Sequence, residues 1–465
     1  YVVSYGMIGA SLSGVTFISI PGWVGNSTNQ FSYMQAVFGY LVGYFIIAYI
    51  LLPLYYRMNL TSIYEYLRER FGWWSYKTGA SFFLVSRLLG SSVRLLLVAN
   101  VLQSILFNKW GIPFEMTVVI SVLLIWIYTS RGGIKTIVWT DTLQTTFMLA
   151  SVFLTVWFIS DALNLPDNTS LISTVADSNY SKIFFFDDFM GSNHFLKHFF
   201  GGMFITIGMT GLDQDMMQKN LSCKNIKDAQ KNMISMSFLL VIVNMVFLFL
   251  GALLYMYADA HPEIQFANSD LLFSSIALSD GVGTFIGILF LLGLIAAAYS
   301  SADSALTALT TSFSVDFLGV NEKDKNDSPK LAKTVEKTRK RVHIGMSLVT
   351  ILTVILLNYT TDESAIGLLM KFAGFTYGPL IGMFFFGIIF KRTIKDKLVP
   401  ILCLVSILIT FFAWYFSAGA PGIEAGQNGI FGAYKFGFEI IILNAFITFS
   451  SMILFSKKNL QTSAI

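Results

Sequence analysis

The chain has 465 residues, 55% hydrophobic and 12% charged, with 44 Phe and 36 Gly and a mean hydropathy of +0.66. Such a composition excludes an ordinary soluble globular protein and indicates an integral membrane protein. The net charge of +4 is no argument for nucleic-acid binding, because the charges separate by membrane side, and Cys223 and Cys403 are too few and too far apart for a disulfide framework or metal motif.

Roughly 20 apolar residues cross a bilayer core. That length predicts twelve spans, near residues 3–24, 31–56, 79–107, 114–129, 138–164, 195–212, 232–258, 283–317, 342–358, 365–390, 398–417 and 434–456. With a cytoplasmic start, 24 of the 31 Lys and Arg fall on one set of loops. Only Lys109, Lys182, Lys197 and Lys435 fall on the other, and Arg87, Arg94 and Lys371 lie inside spans. This asymmetry predicts which side is cytoplasmic. Because the chain opens on Tyr1 without a charged leader, a helix ahead of it is expected to have been trimmed.

The first span, IGASLSGVTFISIPGWVG, carries Gly9, Gly14, Pro21 and Gly22 among Ser11, Ser13 and Thr16. Glycine loosens a helix and proline removes a donor, so the span reads either as a proline-kinked packing helix or as a broken helix. At membrane depth, a broken helix is tolerated where its freed carbonyls line a cavity or hold an ion. In the third span, Arg87 and Arg94 stand seven residues apart and therefore share nearly one helix face. Arg94 is near mid-span, where a charge needs a cavity or a partner. Either it pairs with Asp141 or Asp303, or its planar fork takes a substrate carboxylate. Asp141, near the cytoplasmic entry of the fifth span, is an intramembrane carboxylate and hence a functional candidate.

The sixth span, FFGGMFITIGMTGLDQD, is again interrupted by glycine. Interrupted helices opening two successive five-helix units point to an inverted-repeat transporter with its site near the midplane. Ahead of the eighth span, residues 259–282 are too polar to cross and long enough for an external helix. The eighth span contains AAAYSSADSALTALTT, in which Ser300, Ser304, Thr307 and Thr311 follow a helical spacing of 4, 3 and 4, with Ser301 and Asp303 at the edges. Such hydroxyls serve either close helix packing or, with a carboxylate on the stripe, the oxygen coordination of a hard cation. With so few charged ligands, a monovalent ion such as sodium is favoured. Residues 321–341 read as a solvated cytoplasmic loop.

In order along the chain, SLSGVTFISIPG, TSIYEYLRERFG, GGIKTIVWTDTLQ, GLDQDMMQKNLSCKNIKDAQ, AAAYSSADSAL and FTYGPLIG resemble the sodium/solute symporter family. The resemblance implies an all-α membrane protein with the inverted five-plus-five helix fold of the leucine transporter. The first repeat would occupy residues 1–164, the second 195–390, and two extra C-terminal helices 398–456. It implies a sodium site formed by Gly9 and Leu12 of the broken first helix with Ala297, Ser300 and Ser301. It also implies a possible second sodium site using Asp141 with Ser300, Asp303 and Ser304; members with that site have serine at position 303.

The pocket resembles that of the sialic acid branch, with Ser11, Ser13, Thr16, Phe31, Gln35 and Arg94 at its ligand-contacting positions and Arg94 at the carboxylate. The expected protein is a sodium-coupled importer of a carboxylated sugar in the bacterial inner membrane, acting as a monomer in the bilayer without nucleic acid. The alternatives are a carrier of neutral sugar, inositol or monocarboxylate, or the sensory membrane module of a larger protein. No enzyme is expected, because His194, His198, His261 and His343 form no cluster with a nucleophile, and no filter loop of a channel is present.

Overall fold

A computed structural model describes residues 13–458, apart from 26–27, 59–61, 130–133, 164–169, 222, 280, 321–328, 362 and 425. The side chains of 128–144, 298–300, 329–332 and 458 also lie outside the description. The helices are α1 (Gly14–Trp23), α2 (Tyr33–Met58), α3 (Glu65–Arg70), α4 (Trp73–Trp110), α5 (Phe114–Thr129), α6 (Ile134–Ala162), α7 (Leu171–Ala176) and α8 (Phe195–Thr206). They continue with α9 (Gln214–Leu221), α10 (Ile226–Ala260), α11 (Leu272–Ala277), α12 (Thr284–Phe317), α13 (Pro329–Thr360), α14 (Ala365–Ile389), α15 (Val399–Tyr415) and α16 (Ile440–Phe455). Two short strands, β1 (Arg392–Ile394) and β2 (Ser456–Lys458), pair antiparallel.

Each of the twelve predicted spans contains a helix, yet among the described residues only eight are long and apolar enough to cross a bilayer unaided. α1 begins abruptly after Ser13, whose backbone is extended (φ −87°, ψ 172°). In the sixth span the shortfall has a local cause. α8 gives way to a π-helical turn, Ile207–Gly211, before α9 starts afresh. This interruption of the sixth span falls at the predicted glycine-rich stretch. Pro21, by contrast, sits inside α1 without ending it. The expectation of a loop at 321–341 is corrected in its second half: from Pro329 the chain is helical and runs unbroken into the ninth span. Its charges support that helix, with Lys340 pairing Glu336 one turn back at 2.9 Å and Arg339 donating to Thr311 at 3.0 Å.

Contacts between spans repeat with a shift of five. The second packs on the sixth (α2 on α8) as the seventh packs on the first (α10 on α1). The third packs on the ninth (α4 on α13) as the eighth packs on the fourth (α12 on α5). The fifth packs on the eighth (α6 on α12) as the tenth packs on the third (α14 on α4). Exchange of partners under a fixed shift is the contact signature of two similar halves related by a pseudo-twofold axis. α15 and α16 stand outside the pattern and close on α14.

Close packing of α2 on α8 depends on glycine. A Cβ on Gly39 would lie 2.0 Å from the Phe199 carbonyl oxygen, and one on Gly202 would lie 2.3 Å from that of Ala36. Membrane helices gain contact by bringing backbones this near. Gly39→Val must push the helices apart, and a destabilisation of about 1–3 kcal/mol is expected, read as a lower midpoint of thermal unfolding in detergent.

Candidate functional site

A cavity of ≈ 150 Å³ opens between the first, second, third, sixth, seventh and tenth spans. Its polar lining comes from Ser13 and Thr16 at the start of α1, Tyr33, Tyr40 and Tyr44 along one face of α2, and Arg87 and Arg94 of α4. Thr206, Thr210 and Asp213 contribute from the interrupted sixth span, with Asn244 from α10 and Tyr377 from α14. The interrupted sixth span and the start of α1 explain why polar groups converge at this depth: at a helix end, the backbone and neighbouring hydroxyls face a cavity instead of lipid.

The two arginines differ in their surroundings. Arg87 Nη2 donates to Asp215 Oδ2 at 2.9 Å and its Nη1 lies 3.6 Å from Asp213 Oδ2. Asp215 is also held by Lys219 at 3.2 Å, and the Tyr377 hydroxyl donates to Asp213 at 3.3 Å. Arg94 makes one hydrogen bond, Nη1 to the Gly90 carbonyl of its own helix at 3.3 Å, and among the described residues it meets no carboxylate. The paired alternative for Arg94 therefore receives no support from Asp303. A cavity-facing guanidinium with most of its donors available can receive a bidentate oxyanion.

Ser13 and Thr16 line the cavity with Arg94. Phe31 and Gln35 do not. Phe31 is buried, and its N–H donates to the Lys182 carbonyl at 3.1 Å. Gln35 is fully buried, its amide donating to the Asn193 and Ser32 carbonyls at 3.0 and 3.3 Å and accepting from the Phe185 N–H at 3.0 Å. These bonds pin the external chain onto the entry of α2, a role invisible without the loop's course. Gly9, Ser11 and Leu12 lie outside the described residues. The cavity-lining tyrosines of α2, Thr206, Thr210 and Asn244 were missed by sequence reasoning. The face shared by Tyr33, Tyr40 and Tyr44, at spacings of seven and four, was the available signal.

For the ion sites, α1 starts against α12. A Cβ on Gly14 would lie 3.9 Å from that of the fully buried Ala297, so the start of α1 lies beside the expected wall. Ser301 and Ser304 are half-buried and Asp303 is buried, accepting from Thr307 at 3.4 Å. The side chains of Ser300 and Asp141 are outside the description. Their levels follow from the backbone: Gly293 of α12 abuts Met148 of the antiparallel α6, and each residue lies seven positions from that contact toward the cytoplasm. At about 1.5 Å per residue, Ser300 and Asp141 reach the same depth. Thr310 and Thr311 turn to α13 instead, bonding His343 and Arg339 at 3.0 Å each.

On the exterior, a second cavity of ≈ 470 Å³ is lined by carboxamides such as Asn100, Asn268 and Asn358 together with Asp270 and Glu363. Burial raises the Asp270 carboxyl above the usual carboxylate range, opposed by the Ala365 N–H that donates to it at 2.8 Å. That bond ties the external 269–271 turn to the start of α14. Lys371, the third charge predicted inside a span, pairs with Glu363 and lies over the Trp414 ring at 4.7 Å, near the same external end.

A sequence model described as the sodium:solute symporter family matches residues 1–396. The sodium/sialic acid symporter NanT of Aliivibrio fischeri is 24% identical over 399 residues, covering 84% of this chain and 76% of that protein. The corresponding figures for the sodium/sialic acid symporter SiaT of Proteus mirabilis are 27% over 415 residues, 87% and 80%. Sodium-coupled monocarboxylate transporter 1 of Mus musculus is 26% identical over 400 residues, 83% of this chain and 62% of that one. Among solved structures, a substrate-bound, outward-open Na+-coupled sialic acid symporter matches with a TM-score of 0.76 at 22% identity, covering 98% of this chain and 91% of that one. The transporter Mhp1, with bromovinylhydantoin bound, matches with a TM-score of 0.58 at 15% identity, covering 98% and 91%.

Proposed function

The chain belongs to the sodium:solute symporter family, and from that premise we propose that the solute it carries with sodium is a carboxylated sugar of the sialic acid type. It is a multi-pass, sodium-coupled symporter with the inverted five-plus-five helix fold, and not an enzyme. The observation that carries the substrate reading is Arg94: a guanidinium in a cavity at mid-span, bonded only to the Gly90 carbonyl among the described residues. Leaving a charge so placed is costly unless an anion arrives. Around it stand the hydroxyls of Ser13, Thr16, Tyr40, Thr206 and Thr210 and the Asn244 amide, groups suited to the hydroxyls of a sugar and superfluous for a bare monocarboxylate.

In this reading the sodium site lies between the main-chain oxygens of Gly9 and Leu12 and the Ala297, Ser300 and Ser301 wall of α12. The start of α1 beside Ala297 supports that assignment. A second sodium would use Asp141, Ser300, Asp303 and Ser304. Ser11 joins Ser13 and Thr16 at the substrate, while Phe31 and Gln35 form the shell that positions the Tyr33 end of α2. Residues 1–164 and 195–390 are the two repeats and 398–456 the appended helices, in a protein acting as a monomer of the bacterial inner membrane, without nucleic acid.

A substrate panel tests this reading. Purified protein is expected to show a rise in unfolding midpoint with N-acetylneuraminate that requires sodium, and none with galactose, inositol or propionate. Stabilisation by propionate alone would replace the lead with a monocarboxylate, and no response to any carboxylated sugar would sink it.

A further inference from the structure

We propose that Arg87 is a second carboxylate-binding station on the release path, kept closed by Asp213 and Asp215 until the short helix α9 moves. The inference rests on the substrate reading above. Arg87 and Arg94 are seven residues apart on α4, which places them on nearly one face and about 10 Å apart along the axis. Arg87 lies on the cytoplasmic side, and both line the same cavity. A carboxylate leaving Arg94 toward the cytoplasm therefore meets Arg87 next.

What now occupies Arg87 is itself carboxylate chemistry. Asp215 at 2.9 Å and Asp213 at 3.6 Å take its Nη atoms, while its buried Nε finds no hydrogen-bond partner. The fork is thus held by two separate carboxylates and left partly unsatisfied. Both aspartates belong to the piece that follows the π-helical interruption of the sixth span: Asp213 in the link and Asp215 in the first turn of α9. They have partners on the same piece, Lys219 for Asp215 and the Met216 N–H for Asp213 at 3.1 Å. When α9 swings away, the aspartates keep partners and Arg87 loses its anions. A buried guanidinium without an anion is strongly disfavoured, so an incoming substrate carboxylate takes the vacated place. The step is an exchange of ion-pair partners and needs no co-reactant. A plain latch would use one ion pair and would have no reason to face the substrate cavity in line with a second, available arginine.

Sided transport in oriented proteoliposomes tests the proposal, with labelled N-acetylneuraminate offered from either face. Asp215→Asn frees half of the fork and is expected to lower the half-saturation concentration on the cytoplasmic face at least threefold, leaving the external one within twofold. Arg87→Lys, which keeps the charge but not the planar fork, is expected to raise the cytoplasmic value at least threefold, again without an external change. Asp213→Asn provides the same reading as Asp215→Asn should the latter protein not fold. Unchanged cytoplasmic values, or a cytoplasmic fall mirrored by an external rise as a mere latch would give, overturn the proposal while leaving the substrate reading standing. If the unaltered protein shows no sodium-dependent uptake of N-acetylneuraminate, the substrate reading falls, and this inference with it.

Discussion

Replacing Arg94 with alanine is expected to lower the affinity for a carboxylated sugar about 100-fold, with little effect on folding. The magnitude follows from the bond type. Charge-assisted hydrogen bonds contribute about 1.5–3 kcal/mol, more than neutral ones, and about 1.4 kcal/mol is a factor of ten; a bidentate pair at the upper figure reaches two orders of magnitude. The small effect on folding follows from geometry. Arg94 makes a single neutral hydrogen bond and holds no carboxylate among the described residues, so its removal strands no buried anion there. Arg87→Ala contrasts with this, because it would leave the buried Asp213 without its cation. Arg94→Lys should fall between wild type and alanine, since it keeps charge and loses the fork. Sodium-dependent thermal shift and uptake measure both variants. Undiminished uptake of a neutral solute by Arg94→Ala, with no carboxylated solute ever carried, would remove the lead substrate.

Exchanging sodium for choline is expected to weaken substrate binding by between 5- and 150-fold, the range of a coupling free energy of about 1–3 kcal/mol. Coupling requires sodium to bind the substrate-competent conformation more tightly than its alternative. The proposed site would have that property by position, because its two walls, α12 and the start of α1, meet where Gly14 lies beside Ala297, next to the cavity-lining Ser13 and Thr16. An ion joining these walls fixes the residues that meet the substrate. Ser300→Ala combined with Ser301→Ala should reproduce the choline result in sodium buffer, with the sodium concentration for half-maximal uptake raised at least tenfold. If that double variant binds substrate with unaltered sodium dependence, the ion is elsewhere. Charge sets the driving force: two sodium ions with a monoanion move one net charge, about 2.3 kcal/mol per 100 mV.

The apolar spans, the sidedness expected for them and the interruption of the sixth helix could be read from the sequence because each depends on local composition. Transfer of apolar residues into a bilayer adds up along a segment, basic loops stay on the cytoplasmic side, and glycine weakens a helix where it stands. Ser13, Thr16 and Arg94 were found for the same reason: hydroxyls beside a break and a charge at mid-span are conspicuous one residue at a time. The ninth span was misjudged at its start because the charges of 329–341 read as solvated loop, whereas the same charges can line an exposed helix that continues into the bilayer.

Only the tertiary structure decided which arginine is available and which polar residues serve the scaffold. Arg87 and Arg94 look alike on α4, but the nearest anion that claims Arg87, Asp215, comes from 128 residues away. Gln35 looks like a ligand contact until Asn193, 158 residues on, takes its amide. Sequence periodicity places a side chain on a face and at a depth. Whether that side chain keeps a free donor depends on partners brought in by other helices, and the meeting of the start of α1, an interrupted sixth and an intact third span is what leaves Arg94 facing the cavity.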